Sequence, residues 1–221
     1  VRYTDDSAVN NLEIGGRNLI LNSLNRIVFR SNSPNFPIED QAVSGENYRR
    51  FRRTYPEGIT STVISTYTTE FFTPEKSGYY TYSTYFRPNE FDIELRLYFG
   101  GIYGAYTLCK ANEWTQISVT AWIEAGVATR LGGVHGEMPP EAVQWIDYNR
   151  VSVTSGNKPT DWTPAPEDVE ASIETAKTEA ENAAKAYADT KAEAERVLAE
   201  AYADGKVSAE EQARIDDVNA K

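Results

Sequence analysis

From Ile59 to Val153 the chain alternates apolar and polar positions in short runs, the period of strands with one buried face. The alternation is cleanest in Asp92–Phe99. There Ile93, Leu95, Leu97 and Phe99 share one face, and Asp92, Glu94, Arg96 and Tyr98 the other. Trp114–Ile123 repeats it, with Ile117, Val119, Ala121 and Ile123 opposed to Trp114, Gln116, Ser118, Thr120 and Trp122. Ile59–Thr69 consists of Thr, Ser, Val, Ile and Tyr, side chains suited to a pleated surface. Tyr79–Phe86 and Gln144–Val153 read as further strands. Turns are expected at Pro74–Gly78, Pro88-Asn89 and Gly100-Gly101 with Gly104, and breaks at Gly132-Gly133 and Pro139-Pro140. Upstream, residues 1–14 read as a linker, and Arg17–Ser23 as a first strand after Gly15-Gly16. Residues 24–58, rich in Ser, Asn, Pro and Arg, read as long loops. Several short strands without a helix predict a β-sandwich head, of which the jelly roll is one form.

The period changes after Pro166. Val169, Ile173, Ala176, Ala180, Ala183, Tyr187, Thr190, Ala194, Val197 and Ala201 follow one another at alternating spacings of four and three, a heptad seam. The seam is mostly alanine, so each contact along it buries little area. Asp204-Gly205 reads as the end of this helix, with Gly205 as a left-handed cap. Ser208 and Glu211 have the spacing of a capping box that starts another helix. The same string has the spacing of the second half of a calcium loop. Tyr202 stands where an acid or amide would be needed, which favours a turn. The expected divisions are a linker over 1–14, a jelly-roll domain over 15–164, a coiled-coil stalk over 165–204, and a turn with a further helix over 205–221.

Charge follows the same division. The net charge is −11; residues 165–221 hold 7 basic and 15 acidic residues, a balance of −8, which leaves −3 for the rest. Acidic helices repel nucleic acid, so DNA or RNA is not an expected partner. No apolar run reaches the length of a membrane span. The single cysteine, Cys109, excludes an intramolecular disulfide. A start at Val1 fits a piece of a longer polypeptide.

No catalytic constellation is legible, and the chain is not read as an enzyme. The one histidine, His135, lies among glycines and reads as a surface loop residue. Asp92 with Glu94 is the only carboxylate pair on one strand face, and it carries the lesser alternative of a glycan-cleaving domain. What the head offers instead is aromatic side chains, chiefly tyrosine. Aromatic rings pack on the C–H faces of sugars while planar polar groups meet the hydroxyls. Glu94, Arg96 and Tyr98 on one strand and Gln116 and Trp122 on another are the candidate carbohydrate contacts, provided the two strands share a sheet. Trp122 has the competing reading of a core residue at a strand end. Arg49-Arg50-Phe51-Arg52-Arg53 is the one basic cluster. It reads as a solvated loop paired with acids of the head, or else as a lure for an anionic cell-wall polymer.

Two segments resemble bacteriophage and prophage tail or fibre proteins with a jelly-roll, carbohydrate-binding-module-like domain. Gly15-Gly16-Arg17-Asn18-Leu19-Ile20-Leu21-Asn22-Ser23 is similar to the opening of such domains. Asp147–Val153 followed by Gly156-Asn157-Lys158-Pro159-Thr160-Asp161-Trp162-Thr163-Pro164-Ala165-Pro166-Glu167-Asp168 is similar to their close. The resemblance implies a virion tail component made in the host cytoplasm. Its implied partners are its own copies as a homotrimer, bacterial cell-surface polysaccharide and other tail proteins. It requires no cofactor but implies a structural calcium, for which Asp147 matches the family's acidic position in the last strand. Tyr148 stands where the family often has a second acid. A structural spacer without ligand is the alternative function. In the closing string Trp162 is expected to anchor on the head, and Pro166 to open the helix.

Overall fold

The computed structural model describes Gly16, residues 18–20 and residues 27–220. Among these residues there are eleven strands: β1 (Phe29–Ser31), β2 (Ile38–Ala42), β3 (Arg49–Arg53), β4 (Val63–Phe72), β5 (Gly78–Pro88), β6 (Ile93–Phe99), β7 (Ile102–Tyr103), β8 (Thr107–Cys109), β9 (Thr115–Ile123), β10 (Thr129–Glu137) and β11 (Ile146–Ser155). A 3-10 turn, Pro140–Ala142, precedes β11, and one helix, α1, spans Pro166–Asn219. The expected linker over 1–14 and most of the expected strand over 17–23 lie outside the described residues. Within that stretch Asn18–Ile20 forms no strand, although the Leu19 N–H donates to Val153 O at 2.8 Å.

The strands form two sheets. The front sheet runs β1-β4-β10-β6-β7, with β8 also paired to β6; the back sheet runs β2-β3-β11-β5-β9. Counting β7 and β8 as one interrupted edge strand, the chain from β3 onward changes sheet at every step except the hairpin from β6 to β7/β8, and gives β4-β10-β6-β7/β8 facing β3-β11-β5-β9. That is jelly-roll order, as the sequence predicted. The inner faces supply the core. Leu95, Leu97 and Phe99 of β6 are buried, as are Ile117 and Val119 of β9. At one end of the sandwich Phe29, Phe51, Phe86 and Tyr148 form an aromatic cluster, with the Phe29 and Tyr148 rings 4.7 Å apart.

Two strand expectations are corrected. Residues 24–58 are not loop throughout, since β1, β2 and β3 lie among them. They were obscured because their inward side chains are partly charged. Arg53 is wholly buried and is held by the carbonyls of Pro37, at 2.9 Å, and Ser61, at 2.5 Å. Gly132-Gly133 does not break the chain but lies inside β10. A Cβ at Gly132 would fall 1.2 Å from Tyr98 O, and one at Gly133 would fall 1.8 Å from Thr66 O. These glycines let the backbones of β10, β6 and β4 close up where the register shifts.

The closing string lies along the outer face of the back sheet. Thr81 Oγ1 donates to Gly156 O at 2.8 Å, and Gln116 Nε2 to Thr160 O at 3.2 Å. Thr81, Ser83, Ser152 and Thr154 are buried although they point away from the core. Small hydroxyl side chains suit that position, because they cross-link, as in Ser83–Ser152 at 2.9 Å, without holding the string off. Trp162 is half-buried within the head.

The head extends to Val169 and the helical unit runs from Glu170 onward. Pro166 opens α1, and the amides of Asp168 and Val169 donate to Ala165 O at 3.0 and 3.2 Å. Glu167 and Asp168 sit in the first turn, where the helix dipole favours acids. The expected stop at Asp204-Gly205 is corrected, because α1 passes through both and through Ser208 to Asn219. Gly205 has helical neighbours on both sides and no left-handed φ, and good helix formers nearby, among them Ala201, Ala203 and Lys206, carry the helix across its poor propensity. At ~1.5 Å per residue α1 is about 80 Å long. None of its residues is buried, and its heptad seam is exposed throughout. Continued through the helix, the seam meets Asp204, Ser208 and Glu211 before becoming apolar again at Ile215 and Val218. No helix among the described residues is long and apolar enough to cross a membrane.

Candidate functional site

Glu94, Arg96 and Tyr98 point outward from β6, as their alternation with buried neighbours requires. β10 places His135 opposite Arg96. The turn Gly100-Gly101, with φ of 56° and 84°, folds β7 back so that Tyr103 faces Tyr98. The rings of Tyr98 and Tyr103 stand 4.8 Å apart, and Tyr103 and His135 meet edge to face at 4.8 Å. The Arg96 guanidinium lies over two tyrosine rings, 4.2 Å from the centroid of Tyr103 and 4.4 Å from that of Tyr106. Burial, and then the charge of Arg96, push the His135 imidazole down to about 4, so it is neutral at pH 7.

Tyr98 also borders an open cavity of ≈ 520 Å³ at the end of the sandwich, lined by Trp122, Glu124, Thr129 and Arg130. Trp122, the last outward residue of β9, is 54% exposed and meets Tyr79 edge on at 5.2 Å. Arg130 stacks over Tyr67 at 5.1 Å and Phe71 at 5.2 Å. A second cavity of ≈ 410 Å³, beside Pro74–Lys76, is lined by Phe72 and Tyr80, both buried, and presents no open ring face.

The five expected carbohydrate contacts are therefore redistributed. β6 belongs to the front sheet and β9 to the back, so the condition that they share a sheet is not met. Arg96 and Tyr98 join the aromatic row. Glu94 lies exposed two residues along, opposite Leu108. Trp122 is exposed rather than core, and it reaches Tyr98 around the end of the sandwich through the shared cavity. Gln116 is engaged with the closing string and does not join them. Tyr103, Tyr106, Arg130 and His135 were missed. The tyrosines sit in a glycine-rich stretch that reads as a turn, and the strand carrying His135 is masked by Gly132, Gly133 and Gly136.

On the back sheet the basic cluster is strand β3 rather than a loop, and its pairing with acids is as expected. Arg49 meets Asp40 at 2.6 Å, Arg50 meets Asp147 at 3.0 Å, and Arg52 meets Glu39 at 2.9 Å. Arg87 joins Asp147 from the other side at 2.7 Å. Trp114 lies 4.8 Å from the Arg87 guanidinium and meets Tyr48 edge on, which seals this layer. Asp147 is fully buried, and both its carboxylate oxygens accept from arginines: Oδ1 from Arg50, Oδ2 from Arg87. Two guanidiniums occupy the positions a cation would need, so Asp147 does not fit a calcium ligand. The neighbouring Tyr148 turns inward, its hydroxyl 2.6 Å from Asp40 Oδ2 and 2.9 Å from Ile27 O. Among the described residues no three of His, Cys, Asp and Glu are grouped to hold a metal.

The Cys109 thiol is buried, and burial pushes its pKa up to about 12, away from nucleophilic thiolate. Asp92 accepts the Ala111 amide at 2.9 Å, a loop-capping role.

Among known proteins the chain matches no family model and no curated sequence. It is similar in fold to several solved carbohydrate-binding modules. A family 61 module in complex with β-1,4-galactotriose shares 14% identity at a TM-score of 0.41, over 63% of this chain and 99% of that one. The CBM22-1 xylan-binding domain of Xyn10C from Paenibacillus barcinonensis shares 11% at 0.37, over 59% and 87%. The CBM22-1–GH10 modules of Xyn10B from Clostridium thermocellum, complexed with xylohexaose, share 13% at 0.37, over 69% and 30%. Identities and TM-scores this low assign the chain neither a ligand nor a family.

Proposed function

We propose that this chain is a segment of a bacteriophage tail or fibre protein. Its jelly-roll head attaches to host cell-surface polysaccharide, and α1 joins three copies into a stalk that other tail proteins continue. The observation that carries the attachment reading is the open front-sheet surface. Tyr103 and Tyr106 expose ring area there beside half-buried Tyr98 and Arg96, and Trp122 of the back sheet extends the surface around the end of the sandwich beside Arg130, Glu124 and Thr129. Rigid aromatic faces interleaved with planar polar groups match the C–H faces and hydroxyls of a sugar chain. The tail assignment draws on the sequence of the closing string. The stalk reading draws on the exposed heptad seam from Val169 to Ala201, which a lone helix leaves in water.

A pull-down of the chain on host envelope polysaccharide tests attachment. Retention by wild type and its loss in Tyr98→Ala is the expected outcome; no retention on any envelope fraction sinks the reading and favours a structural spacer. Light scattering tests the stalk. A mass of three chains is expected, and a monomer at high concentration contradicts it.

A further inference from the structure

We propose that the front-sheet surface is selective for an acidic glycan, whose carboxylate or phosphate group docks on the guanidinium of Arg96. This rests on the glycan-attachment reading and narrows it to a ligand class. Its ground is a difference in how the arginines are used. Arg49, Arg50, Arg52 and Arg87 on the back sheet each hold a carboxylate of the same chain. Among the described residues Arg96 has neither an ion pair nor a hydrogen bond. Its Nε–H is buried without an acceptor, whereas its Nη nitrogens, equally without protein partners, remain open to solvent. A buried unsatisfied donor is costly, and a guanidinium hydrogen-bonds anions far better than neutral hydroxyls.

The surroundings suit an anion. Tyr103 and Tyr106 both pack against the guanidinium, which restricts its fork before a ligand arrives. His135, the nearest titratable neighbour across the sheet, is neutral and does not compete for the anion. Arg130, whose guanidinium stacks on Tyr67 and Phe71, adds a second cation where the surface turns toward the Tyr98–Trp122 cavity. Glu94 is the acid nearest in sequence on this strand face, and it makes no ion pair with Arg96. In the basic cluster of β3, which a reader of the sequence would choose for an anionic polymer, Arg49, Arg50 and Arg52 already hold carboxylates and Arg53 is buried against backbone carbonyls.

His135 is the only histidine, so its imidazole proton resonances report on Arg96 without assignment ambiguity. The whole chain is titrated with D-glucuronate, with glucose 1-phosphate and with glucose while those resonances are followed, and is then tested on a panel of neutral, uronate-bearing and phosphate-bearing bacterial polysaccharides. The expected result is a saturable shift with at least one of the two acidic sugars and none with glucose. On the panel, bound polysaccharides are expected to be acidic, and chemical reduction or removal of the acid is expected to abolish binding. The two acidic arms distinguish a carboxylate from a phosphate ligand. Arg96→Gln is expected to weaken binding by roughly tenfold or more. Arg96→Lys, which keeps the charge but loses the flat stack, should fall between the two. Tight binding of a neutral polysaccharide that Arg96→Gln and Arg96→Lys leave unchanged overturns the proposal while preserving glycan attachment. Binding to nothing on the panel overturns both.

Discussion

The two outer faces of the sandwich use the same vocabulary, arginine and aromatic rings, to opposite ends. On the back sheet Arg49, Arg50, Arg52 and Arg87 are closed circuits; Arg150, at the irregularity of β11, lies over Tyr85 without an acid among the described residues. Asp147 bridges Arg50 and Arg87 across three adjacent strands, and Trp114 with Tyr48 covers them. On the front sheet Arg96 and Arg130 are stacked on rings but paired with no acid among the described residues. Composition does not separate the faces; bonding does. A satisfied cation holds its own fold, and an unsatisfied one at an open aromatic surface has capacity left for a ligand.

The comparison breaks most visibly at Asp147. Asp147→Ala leaves two arginines facing each other without their shared carboxylate, and is expected to cost about 3 kcal/mol in urea unfolding. The front face should suffer no comparable loss of stability on Arg96→Gln, because no ion pair is removed. Next in size is Trp122→Ala, which should weaken polysaccharide binding roughly tenfold to a hundredfold while changing stability by no more than ~0.5 kcal/mol. Unchanged binding would remove the cavity from the site.

The pH response sharpens the contrast further. His135 has a folded pKa near 4, below its ordinary value of 6.5. Between those values the unfolded chain takes up a proton that the folded chain does not. The histidine's contribution to stability is therefore complete above about pH 6.5 and declines as the pH falls toward 4. Thermal unfolding of wild type and His135→Phe across this window checks it, with the difference expected to narrow or reverse at the acid end. Arg96→Gln should also raise the His135 titration midpoint, which proton NMR reads directly.

The smallest effect tests the helix. If α1 runs through Gly205, Gly205→Ala stabilises it by about 0.5–1 kcal/mol. A left-handed cap at this position would give the opposite sign in a circular-dichroism melt.

Much of the fold was legible because water imposes a simple rule on a half-buried strand. The alternation of β6 and β9 identifies their inner residues correctly, and the period change at Pro166 marks the helix. What alternation does not encode is the neighbour of each strand. That omission separates Gln116 from Arg96 and puts them on opposite sheets. β10 was hidden because glycines that usually mark turns serve there for close backbone approach. Within the site, Arg96 and Tyr98 could be chosen from strand parity. Tyr103 and Tyr106 could not, since a two-residue turn and an interrupted edge strand bring them over Arg96. Whether a given arginine is paired depends on contacts far apart in the chain, such as Arg50 with Asp147, and no local pattern carries it.

The most direct test sets Arg87→Gln beside Arg96→Gln and measures both the urea midpoint and the affinity for an acidic polysaccharide. The account predicts a crossed result. Arg87→Gln should lose about 1.5–3 kcal/mol of stability with unchanged affinity. Arg96→Gln should keep its stability and lose roughly tenfold or more in affinity. Weakened binding in Arg87→Gln, or unimpaired binding in Arg96→Gln, would contradict the division between a structural and a receptive face.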